Sequence, residues 1–89
     1  MTDQQKLLTV GLDLKRIALL IANKATLSRI DYLVNEIRDM LTGITPPEKI
    51  QRVLNLVSWN KLATKNYSRE LSDELCAFGS IISVRARKL

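Results

Sequence analysis

Few residues in this chain have the type and spacing to do chemistry. There is no histidine, so the usual general base near neutral pH is missing. Cys76 is the single cysteine, with no imidazole to activate it and no second thiol to oxidise against. Asp73 and Glu74 are adjacent and would point to different sides of a helix. Glu36 and Asp39 have the spacing of a solvated helical face. Three scattered glycines form no phosphate-binding loop. No catalytic centre, metal site or cofactor site is expected, and the chain is read as a non-enzyme.

Cations are the remaining polar resource. The net charge is +5, from 14 Lys and Arg against 9 Asp and Glu. Residues 1–42 hold six basic and five acidic side chains, and residues 43–89 hold eight and four. A basic C-terminal half attracts phosphate, anionic lipid or an acidic protein surface, or simply keeps the molecule soluble.

These residues must be carried by helices. Hydrophobic residues make up 46% of the 89 positions and aromatic ones only 4%, namely Tyr32, Trp59, Tyr67 and Phe78. A chain of this length supports one domain with a modest core. Alternating strand patterns are missing, so the expected fold is all-α, about five helices in one small bundle. The longest apolar run, Ile17 to Ala22, is far short of the ~20 residues that cross a bilayer. A lone cysteine fits a reducing cytoplasm.

Thr2-Asp3-Gln4-Gln5 has the form of a capping box opening the first helix. Leu7, Val10, Leu14, Ile17 or Ala18, and Ile21 follow at helical spacing, while Leu8, Leu12, Leu19 and Leu20 lie outside that stripe. A helix apolar on more than one side must be covered on more than one side. A homodimer is therefore expected, with Leu12, Leu19, Leu20 and Leu33 in its interface. The second helix is read from an N-cap at Ser28, through Ile30, Leu33, Val34, Ile37 and Leu41, to Thr42-Gly43. Residues 1–43 form the core and dimerisation half; residues 44–89 form the basic half.

Thr45-Pro46-Pro47-Glu48 reads as the start of a third helix, with threonine as cap and proline at the first position. Ile50, Val53, Leu54, Val57 and Leu62 point inward. Trp59 lies off that stripe, either stapling the helix to a neighbour or exposed to dock on a partner. Ser68 or Asn66 caps a fourth helix bearing Leu71, Leu75 and Phe78. Gly79 is read as a break, and Ile81, Ile82 and Val84 as the start of a fifth helix ending in Arg85, Arg87 and Lys88.

Residues 67–89 (YSRELSDELCAFGSIISVRARKL) resemble the helix-turn-helix of DNA-binding regulators. Ser72 stands as the small helix residue and Cys76 at the turn, with Leu71, Leu75, Ala77 and Ile82 in the buried positions. The resemblance implies a second helix in the major groove. Ser80, Ser83, Val84 and Arg87 would face the bases, while Lys61, Lys65, Arg69, Arg85 and Lys88 would anchor phosphates. Cys76 departs from the pattern, because that turn position favours glycine. Ile21 to Ile37 is also similar to the motif of MarR-type repressors and of the flagellar master regulator's larger subunit. Its outward face would include Ile30, Leu33 and Val34, so that helix is read as core or dimer interface.

Two functions are thus expected. The first is a small cytoplasmic regulator of bacterial, phage or plasmid type that binds DNA through its basic half. The second is a helical interaction module, an inhibitor or adaptor docking on a larger protein complex through Trp59 and basic residues.

Overall fold

The computed structural model describes residues 1–24 and 26–89. Among these residues the chain is all-helical, with five helices in a compact bundle: α1 (Asp3–Ala22), α2 (Leu27–Leu41), α3 (Glu48–Leu56), α4 (Trp59–Ala63) and α5 (Arg69–Arg87). No strand occurs among the described residues, and none of these helices is long and apolar enough to cross a membrane.

Local sequence chemistry explains most of the boundaries. The Thr2 hydroxyl accepts from the Gln5 amide while the Gln5 side chain accepts from the Thr2 amide, so the expected capping box opens α1. Ser68 caps α5 by accepting from the Leu71 amide at 3.1 Å. Gly43 adopts φ +80° just beyond α2, the left-handed conformation that glycine takes without a Cβ penalty.

Two expected caps are not formed. Helix α2 begins one residue before Ser28, with Thr26 in the cap position and no side-chain cap bond. Helix α3 begins at Glu48, with Pro47 as its cap and no hydroxyl bond from Thr45. The second proline accounts for this, since a residue preceding proline is pushed out of the helical region and Pro46 precedes Pro47.

The number of helices is as expected, but their division differs. The stretch read as one helix from Pro46 to Leu62 is interrupted at Val57–Ser58. There the Glu74 carboxylate accepts from both the Ser58 amide and its hydroxyl, each at 3.0 Å. These bonds hold Ser58 outside the helical ladder and seed the short α4. Conversely, the corner expected within residues 67–89 is absent, and Cys76 and Gly79 both lie inside the unbroken α5. Cys76 carries no turn strain. Ala77, expected buried, is exposed.

Gly79 does not break α5 because its missing side chain is what lets α1 approach. α1 and α5 run antiparallel and share the largest interface of the bundle. They cross at Gly11 and Gly79: a Cβ on Gly79 would lie 2.6 Å from the Gly11 carbonyl oxygen and 2.7 Å from Lys15 Cγ. On either side of the crossing, Ser72 donates to the Ala18 carbonyl at 2.8 Å and Gln4 donates to the Ala86 carbonyl at 3.1 Å. The core fills in around this pair, with Leu7, Val10, Leu14 and Ile17 of α1 against Leu71, Leu75 and Ile82 of α5. Ile30 and Ile37 of α2 and Ile50, Val53 and Leu54 of α3 complete it.

Candidate functional site

Helix α1 has two apolar sides, and only one is fully covered. Its core stripe packs on α5, while α2 covers one flank of the opposite side. Beyond that flank Leu12 is 45% exposed, and two turns on Leu19 is 63% exposed beside Tyr32 of α2 at 67%. Between the two helices lies a groove of about 460 Å³, floored by Leu20 and Leu33 and edged by Arg16, Leu19, Ser28, Arg29 and Tyr32. All four residues expected at a dimer interface, Leu12, Leu19, Leu20 and Leu33, sit in or beside this face. Leu33 is mostly buried as its floor.

A carboxylate lies one turn deeper. Asp13 is fully buried, level with Glu36 of α2. Arg16 Nη1 reaches Asp13 Oδ1 at 3.4 Å, and Oδ2 has no hydrogen-bond partner among the described residues. Burial pushes the Asp13 carboxyl up to about 7, and the proximity of the Glu36 carboxyl group adds to this. Arg16 offsets only part of the rise. Asp13 therefore changes charge near neutral pH beneath an exposed apolar face. Sequence reasoning passed over it, although the signal was available: position 13 lies three after Val10 and four before Ile17, within the buried stripe.

The residues expected to contact DNA are spread along the length of α5 and the segment before it. Lys61, Lys65 and Arg69 precede or open α5, whereas Arg85, Arg87 and Lys88 close it. Sixteen residues of helix separate Arg69 from Arg85, roughly 24 Å at the α-helical rise. Ser83 is buried beside Gly11, against α1, and is withdrawn from any base-reading role; Ser80 is half-buried. Lys65 Nζ stands 3.9 Å from Asp31, and Arg85 donates to the Lys49 carbonyl.

Trp59 is half-buried, and its indole N–H donates to the Leu54 carbonyl at 2.9 Å. Its ring borders a smaller cleft with Val34, Ile37, Arg38 and Leu41, so it ties the start of α4 to the end of α3 and faces α2. Tyr67 packs at the entry to α5. Burial and the nearby Asp31 carboxylate raise the pKa of its phenol, whose oxygen has no hydrogen-bond partner among the described residues.

No protein-family model, no curated protein and no solved structure matches this chain.

Proposed function

We propose that the chain is a small helical protein–protein interaction module that works through the α1–α2 face. The observation that carries this reading is the apolar groove lined by exposed Leu19 and Tyr32, with exposed Leu12 two turns along the same face of α1. Large side chains clustered on one face of a small bundle lose stabilisation to water that a partner would recover, about 1.5–3 kcal/mol each on full burial. The basic residues edging the groove, Arg16 and Arg29, give it orientation as well as adhesion. We place the protein in the cytoplasm, a setting that keeps the exposed Cys76 as a thiol. A photo-reactive residue at position 32 tests the reading. It should form protein adducts in cells, while the same probe at exposed Asp73 on α5 should not. Equal yields at both positions, or none at either, would remove the α1–α2 face as the working surface.

A second reading, a DNA-binding regulator, is favoured by one specific observation. Arg85, Arg87 and Lys88 end α5 beside Lys49 of α3, so four cations share one end of the bundle. Such a cluster suits phosphates, without the base-reading helix that the sequence resemblance implied. Its signature is binding that weakens steeply with salt, each lost phosphate contact flattening the log–log slope by about 0.9. Arg87→Ala and Lys88→Ala should each show that change, and affinity indifferent to salt would exclude this reading.

A further inference from the structure

We propose that the occupant of the α1–α2 face is a second copy of the chain, related by a two-fold axis lying across the helices. This rests on the reading of that face as a protein-binding surface and commits it to one partner.

α1 and α2 are antiparallel, and Asp13 of α1 stands level with Glu36 of α2. Further along the pair, Leu20 shares the groove with Arg29. Positions that face each other across the two helices therefore sum to about 49, and the gap between 15 and 16 on α1 is level with that between 33 and 34 on α2. The apolar pair Leu12 and Leu19 is symmetric about the first of these points. The charged pair Arg29 and Asp39 is symmetric about position 34, within one residue's rise of ~1.5 Å from the second. Both charges are exposed, and neither has an ion-pair partner among the described residues.

A two-fold axis in the interface, perpendicular to the helices at that level, reverses each helix and lays it over its own copy. Leu12 then meets the partner's Leu19, and Arg29 meets the partner's Asp39, each contact occurring twice because the interface is isologous. Arg16 lies nearest the axis, where two copies would approach each other, and its guanidinium is turned toward Asp13 at 3.4 Å. One axis satisfies both the apolar and the ionic pairing. That coincidence is what distinguishes a second copy from an unrelated partner with an apolar surface.

Sedimentation equilibrium of the full chain tests this at micromolar concentrations and low salt, with circular dichroism as a check on folding. The wild type should approach twice 10.1 kDa. Arg29→Asp and Asp39→Arg should each weaken self-association about tenfold, since each reversal turns two attractions into repulsions. The double variant should return to near wild-type affinity, and Leu19→Asp should give a folded monomer. A wild type that stays at 10.1 kDa at the highest concentration overturns the second copy. If position 32 still yields adducts of another mass, the interaction-module reading survives that failure; if it yields none, both fall. Self-association unchanged in the single reversals, or a double variant as weak as they are, would overturn the register.

Discussion

Replacing Asp13 by asparagine should remove a loss of stability that its buried carboxyl causes as pH rises from about 4 to 7. The carboxyl has its proton affinity raised from an ordinary 3.8 to about 7 in the folded chain, first by burial and then by Glu36. The sign follows from linkage. The native state holds this proton more tightly than the unfolded chain, so the contribution is complete below pH 4 and is lost as pH rises through about 7. Between those limits stability should fall by ~1.4 kcal/mol per pH unit, on the order of 4 kcal/mol in all. The asparagine side chain would stay neutral throughout while keeping an oxygen for Arg16. Urea denaturation followed by circular dichroism, at one fixed chain concentration and at pH 4.5, 6 and 8, gives the difference between variant and wild type. That difference cancels the surface carboxylates common to both. It should favour the variant increasingly from pH 4.5 to 8. Parallel curves, within about 0.5 kcal/mol across the range, would show that Asp13 is not buried as described; a variant that loses ground as pH rises would reverse the sign.

Other consequences are as specific. Gly79→Ala should destabilise the fold by about 1–3 kcal/mol despite alanine's better helix propensity, because the new Cβ meets the Gly11 backbone. A gain of about 1 kcal/mol in thermal or chemical denaturation would mean the helices can move apart. Trp59→Phe keeps most of the packing but removes the shorter of two hydrogen bonds to the Leu54 carbonyl, leaving only that from the Val57 amide at 3.3 Å, so it should cost about 1 kcal/mol in urea melts. An unchanged midpoint would assign the indole to solvent. Glu74→Ala should speed hydrogen exchange at the Ser58 amide far more than at Leu54 or Leu62, since that amide loses its acceptor. Uniform acceleration would point instead to global destabilisation.

The helical class, the core stripes of α1, α2 and α3, the Thr2–Gln5 box and the turn at Gly43 were legible because each rests on neighbours three or four residues apart. The exceptions depended on distant residues. Gly79 reads as a breaker until Gly11, sixty-eight positions earlier, is seen pressed against it. The interruption at Ser58 is made by Glu74, from a different helix. The caps at Ser28 and Thr45 failed locally, the second because two successive prolines restrict the chain more than one does. Of the candidate site, the spare apolar side of α1 was visible as Leu12, Leu19 and Leu20 outside the core stripe. Arg29, Asp39 and Tyr32 were not, since nothing on α2 alone indicates which of its polar positions border α1. The dispersal of the cations had the same cause: with a corner in place they would have converged, and a straight α5 holds them apart.

The crossing of α1 on α5 also sets the order in which the fold can form. α1 is made well before α5, its main partner, so Leu7, Val10, Leu14 and Ile17 have no complete covering until residues near Ile82 have emerged. Pairing the two closes a loop of about seventy residues, an entropy cost that grows only slowly with length but is met before any contact across it forms. During synthesis α1 and α2 are left with each other, and the groove-lining leucines are exposed on nascent chains as well as on the finished fold. A chain stalled before α5 would carry both apolar sides of α1 into solution, making it the form of this protein most prone to aggregation and most readily held by a chaperone.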